Sequence, residues 1–142
     1  MSTLGTPTLL ILACHAPMAS ALHAVACHGF GMTLCALRVL DVMSSANPQT
    51  VRADIESLWQ ADGRPEQVLI LTDLLGATPS NGVSAWLAEA PSSRAGITGV
   101  SLPMLLRALS HREEHARSLA KMLQASAPDC ISVLPEALNA RA

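Results

Sequence analysis

His15 ends the apolar run Leu9-Leu10-Ile11-Leu12-Ala13-Cys14 and is followed two residues later by Pro17. An imidazole placed there is a candidate nucleophile, provided its ring is oriented and one nitrogen stays protonated. A carboxylate that accepts from one ring nitrogen leaves the other free to attack. Asp73, at the end of a second apolar run, is the candidate for that carboxylate. The chain continues Leu74-Leu75-Gly76-Ala77-Thr78-Pro79-Ser80-Asn81. Its glycine allows a flexible turn, and Thr78-Pro79 reads as a capping side chain before a proline at the first helical position. Free backbone N–H groups and the helix dipole at such a start suit a phosphoryl anion. Pro17 likewise opens a helix behind His15, whose first amides are expected to face the same place.

A different chemistry competes for some of these residues. His23 and Cys27 are four apart, a spacing that can grip a metal from one helix face, and His15 could add a third ligand. Against this, the same helix must bury Met18, Leu22 and Val25, which makes Cys27 core filling. The four cysteines, Cys14, Cys27, Cys35 and Cys130, form no C-x-x-C pair and read as reduced, mostly buried thiols. His111 and His115 lie one helical turn apart beside Arg112, Glu113 and Glu114, the pattern of a solvated face.

The elements that must hold His15 and Asp73 follow from periodicity. Leu9 to Cys14, Leu34 to Val42, Gln67 to Thr72 and Gly96 to Ser101 are short runs rich in Leu, Ile and Val, expected as strands covered on both faces. Helical patterns alternate with them. Met18, Ala21, Leu22 and Val25 share one face, Val51, Ile55, Leu58 and Trp59 a second, and Val83, Trp86, Leu87 and Ala90 a third. Asn47-Pro48 marks another helix start, a helix carrying Ala116, Leu119, Ala120 and Leu123 is expected from about Glu113, and Asp129 to Leu134 reads as a last short strand. The expected fold is α/β: a doubly wound, mostly parallel sheet with helices on both faces, in a single domain over residues 1–142. Ligands of such sheets bind where carboxyl ends of strands meet a topological switch point, and His15, Asp73 and Ser101 all follow strands.

Composition excludes several classes. Nine basic and eleven acidic residues give a formal charge of −2 with no clustered Lys/Arg run, so nucleic acid and anionic lipid are poor partners. The uncharged segment before Arg38 is interrupted by His15, Pro17, His23, His28, Gly29 and Gly31, leaving no stretch near the roughly 20 apolar residues that cross a bilayer. Its start lacks the positive charge of a secretory signal, and a cytoplasmic location is expected.

At the residues opened on, the chain resembles the mannose-type EIIA domain of the bacterial sugar phosphotransferase system (PTS). The family pattern has a phosphorylatable histidine at the end of strand one, an Asp with a Gly-rich turn and Ser-Pro-x-Asn after strand three, and Gly-Val-Asn-x-Pro-Met after strand four. These correspond to Cys14-His15-Ala16, Asp73 to Asn81, and Gly99-Val100-Ser101-Leu102-Pro103-Met104. The chain departs from the pattern at Ala16, Ala77, Thr78 and Ser101, where the family has Gly, Gly, Ser and Asn; Thr78 keeps a hydroxyl. The resemblance implies a phosphocarrier that takes a phosphoryl group from phosphorylated HPr on His15 and passes it to a IIB component or serves as a regulator. Asp73 would orient the ring, Gly76, Ala77, Thr78 and Ser101 would line the phosphate site, and no cofactor or metal would be needed. It further implies a homodimer exchanging the C-terminal strand. Related domains also serve a phosphotransferase-dependent dihydroxyacetone kinase.

Overall fold

The computed structural model describes residues 6–32 and 37–135. Four strands, β1 (Leu9–His15), β2 (Leu37–Val42), β3 (Val68–Thr72) and β4 (Arg94–Ile97), form one sheet in the order β2-β1-β3-β4, and every pair is parallel. Five α-helices accompany them: α1 (Met18–Ala24), α2 (Pro48–Ala61), α3 (Thr78–Leu87), α4 (Leu102–Ser110) and α5 (Ala116–Ser126). The expected α/β fold with helices on both faces is what forms.

The chain leaves β1 in one direction to reach β2, then crosses back over β1 to reach β3 and β4. Crossovers of one hand running in opposite directions must lie on opposite faces. Accordingly α1 covers one face, where Ala19 and Ala26 pack with Leu10, Leu12, Leu105, Leu119 and Leu123. The helices α2 and α3 cover the other, where Val51, Ile55, Val83 and Trp86 pack with Ile11, Val68 and Ile70. The central strand β1 is buried from Leu9 to Cys14 and exposed only at His15. Its leucines and isoleucine contribute about 1.5–3 kcal/mol each by leaving water, which fixes the backbone from which His15 projects.

Several expectations are corrected. The fourth strand begins at Arg94 and ends at Ile97 rather than running from Gly96 to Ser101. Its charged first residue is accommodated because the Arg94 guanidinium lies 3.6 Å from the Trp86 ring centre and 4.7 Å from that of Trp59, and donates to the Trp86 carbonyl at 2.8 Å. On α1 the buried residue is Ala19, with Leu22 half-buried, while Met18, Ala21 and Val25 face solvent; the helix continues as a π-helical segment, Val25–Gly29, that buries Ala26. The fifth helix starts at Ala116, not near Glu113. The third strand starts at Val68, and the second is seen from Leu37, the earlier part of its expected range lying outside the described residues. Asp129 to Leu134 is not a strand: Ala127–Cys130 forms a 3₁₀ turn, and Ile131, Val133 and Leu134 are 79%, 90% and 78% exposed. Cys130 is exposed as well, whereas Cys14 is buried; Cys35 lies outside the described residues.

Candidate functional site

The strand order reverses between β1 and β3, so the carboxyl ends of these neighbours flank a switch point. His15 ends β1 and Asp73 follows β3, and the sheet brings together residues 58 positions apart in sequence. Nδ1 of His15 lies 2.8 Å from Oδ2 of Asp73, and the same oxygen accepts the His15 backbone N–H at 3.0 Å. An ionised carboxylate can only accept, so in the neutral ring the proton sits on Nδ1 and Nε2 presents its lone pair. The His15 side chain is 47% exposed while that of Asp73 is 13% exposed. Burial pushes the Asp73 carboxyl upward, but hydrogen bonds from the His15 ring, the His15 N–H and the Leu74 N–H, with the charge of His15, outweigh it and hold the group below the usual carboxylate range.

The turn after Asp73 is braced from α3. Gly76 has φ 87°, a conformation only glycine adopts without strain. Its N–H donates to Ser80 Oγ at 2.9 Å, and the Ser80 hydroxyl donates to the Ala77 carbonyl at 3.0 Å. Asn81 Nδ2 reaches the Gly76 carbonyl at 3.4 Å. The helix cap is not the expected one. Ala77, extended at φ −93° and ψ 174°, is the N-cap, its carbonyl accepting from Asn81 N–H at 2.9 Å, and Thr78 and Pro79 are the first two helical residues. Since alanine carries no acceptor, α3 starts without a side-chain cap, and the Thr78 and Ser80 amides have no intrahelical partner. This leaves more positive potential at the helix start than a capping threonine would.

Ser101 takes the helix-start role: it is the N-cap of α4, its Oγ accepting from Met104 N–H at 3.3 Å. The loop before it is tied to the site, because Gly99 N–H donates to the Asp73 carbonyl and Val100 N–H to that of Thr72. Behind His15, Ala16 N–H donates to the Val42 carbonyl at 2.9 Å. Pro17 is the N-cap of α1, and the third amide of that helix, on Ser20, is not free: it donates to Asp41 Oδ1 at 3.0 Å.

The metal alternative finds no support in this geometry. Among the described residues no group of three or more His, Cys, Asp or Glu side chains converges as a metal site, and the ring of His15 is engaged by Asp73 instead of meeting His23 and Cys27. His111 Nδ1 lies 2.9 Å from the Arg107 carbonyl at the end of α4. Among the described residues no helix is long and apolar enough to cross a membrane.

Three residues show their roles only in the fold: Ser80 and Asn81, which stand in the motif after β3, and Asp41, whose one signal in the sequence is a lone carboxylate near the end of an apolar run.

Comparison with known proteins extends the picture. Residues 9–125 match the EIIA-man family model, described as the PTS system fructose IIA component. A mannose/sorbose specific IIA subunit from Enterococcus faecalis is similar in structure with a TM-score of 0.80 at 22% identity, over 93% of this chain and 99% of the other. A phosphotransferase system EIIA component from Streptococcus agalactiae gives 0.76 at 23% identity, over 89% and 96%. A PTS IIA protein associated with a fucose utilization operon in Streptococcus pneumoniae gives 0.76 at 20% identity, over 92% and 95%.

Proposed function

Because the chain belongs to the EIIA-man family of phosphotransferase-system components, we propose that it is a phosphocarrier whose acceptor is Nε2 of His15. The observation that carries this reading is the 2.8 Å approach of Nδ1 to Asp73, which in the neutral ring leaves the opposite nitrogen unprotonated, on a side chain that is 47% exposed. The lone pair of Nε2 attacks phosphorus, the P–N bond of phosphorylated HPr breaks, and its electrons return to the donor imidazole. Nδ1 keeps its proton, so the phosphorylated ring gains positive charge that Asp73 stabilises. The Thr78 and Ser80 amides at the start of α3, which lack an intrahelical acceptor, would supply donors to the negative charge of the transferring group. No metal is required, because positive potential comes from backbone donors.

Half-exposure of His15 suits transfer between proteins rather than onto a small enclosed substrate. Met18, Met43, Leu74 and Leu75, in or just after the segments that follow β1, β2 and β3, are 38%, 62%, 60% and 79% exposed. An apolar collar of this kind fits HPr on one side of the cycle and a IIB component or regulatory target on the other. A homodimer is supported at the opposite side of the sheet. The outer strand β4 has one neighbour among the described strands, a cavity of about 420 Å³ lined by Leu87, Pro91, Ala95 and Ala120 together with the cationic Arg94, Arg117 and Lys121 runs beside it, and the exposed Ile131 to Leu134 segment could occupy the apolar part of such a groove in a second copy.

Incubation with purified Enzyme I, HPr and phosphoenolpyruvate tests the reading. Acid-labile, base-stable phosphate is expected on the wild type and absent from His15→Ala. Full phosphorylation of His15→Ala, with label on another histidine such as His111, would overturn the assignment.

A further inference from the structure

Asp41 stands near the end of β2, in register with Cys14 of β1, one position before the pairing of Val42 with His15. Its carboxylate leaves its own strand to grip α1. Oδ1 accepts the Ser20 N–H at 3.0 Å and Oδ2 accepts the Ser20 hydroxyl. Ser20 is the third helical residue, one of the amides that lack an intrahelical acceptor, and the N-cap Pro17 has no side-chain group to satisfy it. A side chain from the adjacent strand therefore does the work that the local sequence leaves undone.

Only Ala16 and Pro17 separate His15 from α1. A movement of the helix start is transmitted to His15 through three peptide units, the first of which is tied to β2 by the Ala16 N–H bond to Val42. The opposite side of the ring is held by Asp73 from β3. His15 is thus clamped between two carboxylates of the neighbouring strands, one touching its ring and one reaching it through α1.

We propose that Asp41 is a positioning residue for His15, holding the start of α1 through Ser20 so that Nδ1 stays on Asp73 and Nε2 stays aimed at the incoming phosphoryl group. The proposal rests on the phosphocarrier reading for its rate consequence but not for its structural one. Reaction rates are steep in such geometry: a misplacement of about 1 Å can cost on the order of 10²-fold. Partial release of one side of the clamp is expected to cost about 10-fold.

The test compares wild type, Asp41→Ala, Asp41→Asn and Ser20→Ala in two measurements: transfer from phospho-HPr, resolved into kcat and KM, and ring ¹⁵N spectra of His15, assigned with His15→Ala. For Asp41→Ala we expect kcat to fall about 10-fold with KM within about twofold, and the single Nδ1–H tautomer signature to become a mixture. Asp41→Asn keeps an oxygen that can accept from the Ser20 N–H, so kcat within about threefold of wild type and recovery of the single tautomer are expected. Wild-type kcat and tautomer in Asp41→Ala, accompanied only by a lower melting temperature, would reduce Asp41 to a helix cap and overturn the proposal. If Asp41→Ala does not fold, Asp41→Val, which suits a strand but carries no acceptor, decides: an unchanged tautomer and rate overturn the proposal, and a mixed tautomer with reduced kcat supports it; Ser20→Ala keeps the Ser20 N–H bond to Oδ1 and should behave as Asp41→Asn does. A wild type that accepts no phosphoryl group would refute the phosphocarrier reading, while the tautomer spectra would still judge Asp41.

Discussion

At Asp73 the bonds that would orient His15 for phosphoryl transfer are also bonds that stabilise the fold. Three hydrogen bonds and the charge of His15 hold its carboxyl below the ordinary range despite its burial, so the folded pKa lies under the unfolded value near 3.9. The stabilisation from the ionised group is therefore complete above that unfolded value and is lost as pH falls through the depressed folded one. Urea unfolding of wild type and Asp73→Asn should differ more at about pH 6 than at about pH 3, and a difference independent of pH would contradict the linkage. In transfer assays Asp73→Ala should be slower by about 10²–10⁴-fold with circular dichroism unchanged, the range expected when a positioned acid/base partner is lost. Thr78→Val should cost less, since the backbone donors of α3 remain. Cys14, next to His15, is expected to be inert for a separate reason: burial, reinforced by the charges of Asp73 and Asp41, pushes its thiol up to about 12. Brief iodoacetamide treatment of native protein at mildly alkaline pH should modify the exposed Cys130 and spare Cys14, as peptide mass mapping will show.

At the scale of elements, the site depends on α3 lying close against α2. Gly82 makes this approach possible: a Cβ there would sit 2.4 Å from Val51 Cβ and 2.9 Å from the Pro48 carbonyl oxygen. Neither atom is the far end of a flexible side chain, so the helices would have to separate. Gly82→Ala should destabilise the protein by about 1–3 kcal/mol in chemical denaturation, the usual range for overpacking, and should also slow phosphoryl acceptance by displacing the α3 N-terminus. Unchanged stability would mean that α2 and α3 yield more readily than their packing indicates. The same end of α2 is secured locally, by a reciprocal box in which Asn47 Oδ1 accepts Thr50 N–H at 2.9 Å and Thr50 Oγ1 accepts Asn47 N–H at 3.1 Å.

Across the whole molecule, two unlike surfaces stand apart. The carboxyl edge of the sheet carries His15 with exposed methionine and leucine in the segments nearby, and on the β4 side the outer strand has one neighbour among the described strands, with a groove beside it. Ile131, Val133 and Leu134 are exposed against the described residues, and the proposed pairing with a second copy would cover them. Sedimentation at micromolar concentration should give a dimer, and truncation after Ala127 should give a monomer; a monomeric full-length chain unaffected by truncation would remove the proposed exchange. The two surfaces are expected to act independently, so the truncated form should retain phosphoryl acceptance in the same HPr assay if it remains folded.

Local order in the residues was sufficient for much of this. Alternating apolar runs and amphipathic stretches are properties of nearest neighbours, and they specify strands covered on both faces and the helices between them, including the start of α2 at Asn47-Pro48. The pairing of His15 with Asp73 was also legible, because both end apolar runs and a parallel sheet collects such ends on one edge. What needed tertiary structure was every feature settled by a distant partner. Arg94 could begin a strand only because Trp59 and Trp86 receive its charge. Thr78 could enter α3 instead of capping it because Ala77 extends and the turn is braced by Ser80 and Asn81. The buried side of α1 was set by the sheet beneath it, and Asp41 found its role on a helix from another part of the chain. Ile131 to Leu134 has the composition of a strand, but a strand also needs an adjacent edge to receive its hydrogen bonds, and within one chain the fold leaves that segment exposed.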